Sequence, residues 1–334
     1  QISEMEVKYK SEKKDAELKL QEEQLIHQAE QNNKQKLVII ASVSALIMAL
    51  LAIIFVYRSY LQNKRNTTLL SLKNKVIEEK NREITDSINY AKLIQQSLLA
   101  SKEVLDRNLE SYFILYKPKD IVSGDFYWAH ESNDGFIIAG VDCTGHGVPG
   151  AFMSLIGKEN LDKAVSRFSS PGKILGELNK NVKRSLNQNN SGASKDGMDA
   201  AILRIRKNNG TAPEVLFAGA NRPLYILRRN SLSLEEIKPT KQAIGGLTSA
   251  DQVYDEHFVS VERGDTLVIG TDGYADQFGS ASNKKLTTKR FKQLLQSIAN
   301  ESPQQQKEKL DSFFKTWKGN QDQLDDLLVI GITV

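Results

Sequence analysis

The chain has 334 residues, 40% hydrophobic and 26% charged, enough for one large domain or two ordinary ones built round real cores. Its formal net charge of +4, from 45 basic and 41 acidic residues, is too small and too mixed to argue for a nucleic-acid partner. The single cysteine, Cys143, excludes an intrachain disulfide and suits a reducing compartment.

The chain starts at Gln1 with no secretory signal, so it reads as a piece of a longer protein, with a larger N-terminal part expected ahead of it. Residues 1–36 are rich in Glu, Lys and Gln and contain neither Gly nor Pro. They predict an exposed helix, the end of an extracytoplasmic domain, running into the apolar stretch 37–57, LVIIASVSALIMALLAIIFVY. That stretch carries no charge, and at about 1.5 Å per residue it matches a hydrocarbon core of about 30 Å. A buried core helix is the alternative, but core helices are rarely apolar on every face. Lys34 and Lys36 precede the span, whereas Arg58, Lys64, Arg65, Lys73 and Lys75 follow it. The excess of positive charge on the C-terminal side places that side in the cytoplasm.

Residues 58–100 read as a helical linker. Leu70, Ile77, Ile84, Ala91 and Leu98 recur at seven-residue spacing, the a-positions of a heptad. The d-positions are poor: Lys73, Lys80 and Ser87 precede Ile94. Two readings stand, a homodimer through a weakly paired linker helix or an amphipathic helix packed on the next domain.

From residue 101 onward short β-branched runs alternate with polar turns. Strands are predicted over 111–116, 126–130, 135–141, 200–206, 214–218, 224–228, 265–269 and 327–334. Helices are predicted over 150–164, 172–187, 288–299 and 303–318, and a mobile polar loop over 187–197. Strands dominate, with helices inserted between them, which indicates α+β layers rather than a strict βαβ alternation.

Several of these strands carry an aspartate at one end. The run 135–141 leads into Asp142, and 265–270 into Thr271 and Asp272; Asp325 and Asp326 open the last strand, and Asp125 follows Gly124. A single strand-end aspartate is usually a turn former or a cap. Several converging carboxylates repel one another unless a cation neutralises them, and an all-oxygen set suits Mg2+ or Mn2+. In VDCTGHGVPGAF, Gly145 and Gly147 permit a tight turn into a helix, as in phosphate cradles, yet the pattern is neither a Walker loop nor a dinucleotide fingerprint. His146 reads as an exposed turn residue in preference to a ligand or an acid. Cys143 reads as a small buried residue, having no basic partner to make it a nucleophile. Asp199, at the head of a strand, reads as structural.

The segments KDIVSGDFYW, VDCTGHGVPGAF, FAGANRPLYILR, GTDGYADQ and DDLLVIGI follow one another in this order. Together they make residues 101–334 resemble the stage II sporulation protein E (SpoIIE) subgroup of the PPM-type, metal-dependent serine/threonine phosphatases. EITDSINYAKLIQQSLL resembles the helical linker that commonly precedes such domains. The resemblance implies a layered α-β-β-α sandwich holding two Mn2+ or Mg2+ ions. It implies Asp125 as ligand of the second metal, Asp142 as the bridging carboxylate, the Cys143 carbonyl as a ligand in that turn, and Asp272 and Asp325 as ligands of the first metal. Asp142 and Asp272 would be the catalytic side chains, with metal-held water as the nucleophile. The substrate implied is phosphoserine or phosphothreonine on a signalling partner such as an anti-sigma-factor antagonist. The enzyme would be a single-pass protein of the cell inner membrane with its phosphatase domain in the cytoplasm.

Two departures from the broader family are visible. Thr144 stands where that family often has a histidine acting as general acid, so the leaving group must take its proton from water or another residue. Gly219 is followed by Ala220 and Asn221, not by the aspartate that holds a third metal in some members. Asp325 and Asp326 are adjacent and sequence alone could exchange their roles. A catalytically inactive phosphatase-like module that binds a partner is the alternative function. A sensor histidine kinase would need an ATP-binding domain and a helical phosphoacceptor histidine; His27 precedes the apolar span.

Overall fold

The computed structural model describes residues 2–188, 194–208, 212–231, 233–281 and 283–334. The polar loop expected over 187–197 falls in part on 189–193, outside the described residues. The chain divides into two units, Gln1–Arg82 and Glu83–Val334.

The first unit is helical throughout its described length, part of helix α1 (Ile2–Leu98). Its continuity follows from composition: the first proline is Pro118 and the first glycine Gly124, so nothing breaks the ladder of backbone hydrogen bonds. All of its described side chains are exposed. Its most apolar window reaches a mean hydropathy of 3.0 with none of it buried, so by length and composition it is able to cross a membrane.

In the second unit the end of α1 is followed by α2 (Lys102–Asn108), β1 (Ser111–Lys117), β2 (Phe126–Ser132), β3 (Gly135–Cys143), α3 (Gly147–Val165), α4 (Pro171–Ser185), β4 (Gly197–Arg206) and β5 (Glu214–Ala220). There follow β6 (Leu224–Leu227), β7 (Leu234–Ile237), β8 (Ile244–Gly245), β9 (Glu256–Val259), β10 (Thr266–Gly270), α5 (Gly273–Asp276), α6 (Thr287–Ser297), α7 (Pro303–Lys318) and β11 (Leu327–Thr333). Among the described residues the strands form two sheets, one ordered β1-β11-β10-β6-β7 and the other β2-β3-β4-β5-β9 with β8 on the end of β4. Each pairing between these named strands is antiparallel.

Side-chain alternation assigns the layers. Phe136 and Ile138 of β3 join Leu267 and Ile269 of β10 and Leu328, Ile330 and Ile332 of β11 in a core between the sheets. The alternate residues Ile137, Ala139 and Val141 face the other way, onto Leu161 of α3 and Ile174, Leu175 and Leu178 of α4. On the first sheet, Val268, Leu327 and Val329 pack outward with Phe291 and Leu295 of α6 and Leu310 and Phe314 of α7. The order of layers is helix, sheet, sheet, helix.

The last turns of α1 belong to this domain. Gln95 is buried; its Nε2 donates to the Ser123 carbonyl (2.6 Å) and to Ser154 Oγ (2.9 Å). In return the Ser123 N–H donates to Gln95 Oε1 (3.1 Å). The helix thereby holds both polar groups of the backbone two residues before Asp125.

Candidate active site

Register places the strand-end aspartates together. β10 and β11 pair Gly270 with Val329, so the exit of β10 toward Asp272 lies beside the entrance of β11, which Asp325 and Asp326 precede. β2 and β3 pair Phe126 with Val141, bringing Asp125 to the end where Asp142 stands. β3 and β4 pair Asp142 directly with Asp199. One end of the sandwich therefore collects carboxylates from both sheets.

Close packing of loops fixes this end. A Cβ on Gly124 would lie 2.3 Å from the Gly145 carbonyl oxygen and 3.3 Å from that of Cys143. A Cβ on Gly150 would lie 2.3 Å from the Gly145 oxygen and 2.8 Å from the Gly124 Cα. Only glycine lets the Asp125 loop, the β3–α3 turn and the first turn of α3 meet at these distances. The Cys143 carbonyl thus faces the Asp125 loop, while its side chain is buried and its thiol pushed up by burial and the nearby carboxylates. That chemistry is the opposite of what an activated nucleophile needs.

Asp125 is 2% exposed and, among the described residues, its buried Oδ2 has no hydrogen-bond partner. Burial first, then the charge of Asp142, hold its carboxyl well above the ordinary range. Burial pushes Asp142 up to about 7; Arg222 opposes the shift, and Asp272, Asp199 and Asp325 add to it. Asp325 is likewise raised, by burial foremost and by the charges of Asp272 and Asp326. Asp199 is raised by burial and held by Asn221 Nδ2 at 2.8 Å and Arg222 Nη2 at 3.0 Å.

Asp325 and Asp326 differ in their hydrogen-bond partners. Asp326 is 2% exposed and accepts the Lys119 N–H on Oδ1 and the Gly124 N–H on Oδ2, both at 2.7 Å. It clamps the loop that carries Asp125. Asp325 Oδ1 accepts the Asp326 N–H at 2.8 Å, and the side chain feels the charge of Asp272. Asp326→Asn is expected to cost about 2–4 kcal/mol, since an amide cannot accept both N–H groups of a buried loop. Asp325→Asn is expected to leave folding intact and weaken divalent-ion binding. Urea unfolding and calorimetric Mn2+ titration of the two variants distinguish these outcomes; equal effects would refute the division of roles.

Arg222 lies among the carboxylates. Its Nη2 is 3.0 Å from Asp142, 3.0 Å from Asp199 and 2.8 Å from Asp272. No three His, Cys, Asp or Glu side chains among the described residues stand as a ready-made metal cage; the guanidinium is interposed between the aspartates. The donor chemistry nevertheless fits a hard cation: oxygens only, mutual repulsion strong enough to raise several of the carboxyls, and one buried oxygen of Asp125 with nothing to bind.

The turn residues have other roles. The Thr144 hydroxyl donates to Asp196 at 3.0 Å and accepts the Gly197 N–H at 3.2 Å, which ties the turn to β4. His146 is exposed; its Nδ1 bonds Asp120 at 2.7 Å and its Nε2 lies 2.9 Å from Lys119 Nζ. It behaves as the turn residue the sequence suggests, bonded to its own loop neighbours. Sequence reasoning missed Arg222 and the place of Asp199 in the cluster. The Asp142–Asp199 pairing would have revealed the latter once β3 and β4 were in register. Arg222, in the short β5–β6 turn, lies within the segment FAGANRPLYILR, but nothing in its type or spacing points it toward the aspartates.

Two antiparallel sheets stacked between helical layers, with acidic residues of both sheets gathered at one end, define a PP2C-type serine/threonine phosphatase domain, a hydrolase. The chain belongs to the stage II sporulation protein E (SpoIIE) family, whose sequence profile matches residues 132–334. Asp125 lies just ahead of the matched stretch. The PP2C domain of SiaA from Pseudomonas aeruginosa is similar at 31% identity and a TM-score of 0.67, over 76% of this chain and 98% of that domain. The phosphatase domain and a regulatory fragment of SpoIIE from Bacillus subtilis share the fold at 18% identity and a TM-score of 0.53, covering 67% of this chain and 62% of that one. Phosphoserine phosphatase RsbU from Bacillus subtilis (strain 168) is 25% identical over 195 residues, which is 58% of this chain. The match spans 55% of the length of RsbU.

Proposed function

We propose that this protein is a membrane-anchored serine/threonine phosphatase that releases phosphate from phosphoserine or phosphothreonine on a signalling protein, an anti-sigma-factor antagonist being the substrate class. The observation that carries the reading is the buried, unpartnered Asp125 Oδ2 set in a cluster of carboxylates whose charges oppose one another. Asp125, Asp142, the Cys143 carbonyl, Asp272 and Asp325 would hold two Mn2+ or Mg2+ ions. When bound, such ions supply a water ionised near neutral pH and a positive clamp on the phosphoryl oxygens.

The chain's own residues prepare that chemistry. Asp142, at the end of β3, is coupled by charge to Asp125 on its own sheet and to Asp272 and Asp325 from the other. Asp326 and Gln95 hold the Asp125 loop in place through its backbone. Thr144 is occupied in tying the turn to β4, so the leaving serine or threonine oxygen takes its proton from water or another residue.

Residues 1–36 would be an extracytoplasmic helical segment, 37–57 a span of the inner membrane, and 58–100 a helical linker through which two copies would pair and whose last turns join the cytoplasmic phosphatase domain of 101–334. The apolar run and the basic residues after it support this arrangement. The test is phosphate release from a phosphoserine peptide by the detergent-solubilised chain. Release is expected with Mn2+, none with EDTA, and recovery when Mn2+ is restored. Calorimetry that found no divalent-ion binding would instead support a non-catalytic module that binds a partner.

A further inference from the structure

We propose that Arg222 binds the phosphoryl group of the substrate, with Nη2 anchored on the aspartates and Nη1 presented to the non-bridging oxygens. The inference rests on the phosphatase reading and assigns this site its anion-recognising residue.

The backbone of Arg222 is fixed before any ligand arrives. Asn221 has φ of +59°, and its N–H donates to the Thr240 carbonyl at 2.9 Å. The Arg222 N–H donates to the Ala220 carbonyl at 2.8 Å, and its own carbonyl lies where a Cβ on Gly219 would come within 2.3 Å. The turn is thus pinned on both sides, and the side chain emerges at the end of the sandwich where the carboxylates gather.

The guanidinium is used in an unusual way. Each ion pair of Arg222 among the described residues runs through Nη2, which meets Asp142, Asp199 and Asp272. Among the described residues the buried Nε has no partner. An arginine whose task is to neutralise a carboxylate normally lays its fork along it with two parallel hydrogen bonds. Here one nitrogen serves three acids, Nε is enclosed, and among the described residues Nη1 makes no hydrogen bond or ion pair, which leaves Nη1 for an acceptor. A tetrahedral phosphoryl group with oxygens spaced for a guanidinium fork is such an acceptor.

Charge balance points the same way. Asp125, Asp142, Asp199, Asp272, Asp325 and Asp326 meet at this end of the fold. Six carboxylates set against two divalent ions leave two net negative charges, which repel a phosphomonoester dianion. Arg222 removes half of that charge, and the partly buried setting strengthens its hold on an anion. Lysine carries the same charge but lacks the planar fork, which makes Arg222→Lys the informative substitution.

The test uses the 334-residue chain in detergent with saturating Mn2+. Calorimetry measures Mn2+ affinity and then orthophosphate affinity in wild type, Arg222→Lys and Arg222→Gln, and kinetics with a phosphoserine peptide supply KM and kcat. Arg222→Lys is expected to bind Mn2+ within about 2-fold of wild type while weakening orthophosphate binding and raising KM by about 10- to 100-fold, the scale of lost charge-assisted hydrogen bonds. Arg222→Gln is expected to weaken orthophosphate further. Unchanged orthophosphate affinity in a folded, Mn2+-binding Arg222→Lys protein would overturn the proposal, as would tighter Mn2+ binding with no effect on phosphate, which would make Arg222 a neutraliser of carboxylates only. Wild type that binds Mn2+ and orthophosphate but releases no phosphate from the peptide would count against the phosphatase reading alone, because the comparison of orthophosphate affinities still decides the role of Arg222.

Discussion

Asp142→Asn is expected to reduce Mn2+-dependent phosphate release by about 10³-fold or more while leaving the domain folded. The side chain leaves the end of the central strand β3 and faces carboxylates from both sheets. In the proposed site it would bridge two cations, and an amide of the same shape supplies neither the charge nor the second lone-pair-rich oxygen. The fold should not suffer. Asp142 pairs with Asp199 through strand backbone, and the apolar residues before it are packed between sheet and helices irrespective of its charge. Phosphate release and far-ultraviolet circular dichroism on the same preparations check both halves. Residual activity within about 10-fold of wild type would remove Asp142 from the centre of the chemistry.

The second large effect concerns pH and metal together. In the metal-free protein Asp142 has its carboxyl raised to about 7 by burial, and Asp125 and Asp325 are raised with it. A carboxyl raised on folding holds its proton more tightly in the native state. Its stabilising contribution is complete below the unfolded value near 3.8 and is lost as pH rises through about 7. Metal-free protein should therefore melt several degrees lower at pH 8 than at pH 5. A cation that replaces the lost protons should reverse this, so the rise in Tm on adding Mn2+ should be larger at pH 8 than at pH 5.5. Tryptophan fluorescence reports the right unit, because Trp128 and Trp317 both lie in the sandwich domain and the long helix contains none. Asp142→Asn should flatten the metal-free pH profile. A Tm that rose between pH 5 and pH 8 without metal would contradict the account.

What was legible in the sequence followed burial. Central strands such as β3 and β11 are packed on both faces and show as nearly unbroken apolar runs. The edge strands β7 and β9 gave no such signal. Leu234–Ile237 carries Glu235 and Glu236, paired with Arg228 and Lys292, and Glu256–Val259 keeps Phe258 in solvent. Those charges and that exposure suit an edge and hide the strand from any search for hydrophobic alternation. Helix α3 begins at Gly147, three residues before the predicted start, because the turn after His146 leads straight into it. In the cluster, Asp125, Asp142, Asp272 and Asp325 each announce themselves at the end of an apolar strand. Asp199 and Arg222 become visible only when two hairpins are in register, since their significance lies in what stands opposite them.

The three hydrogen bonds of Gln95 have a practical consequence for where the chain is cut. A fragment that starts at residue 101 retains every aspartate of the cluster yet discards the amide that holds Ser123. The N–H and carbonyl of Ser123 would then have to find water inside the packed junction of the Asp125 loop and α3. Gln95 thus makes the last turns of the long helix a functional part of the catalytic domain, and expression boundaries drawn from the first strand would divide one working unit in two.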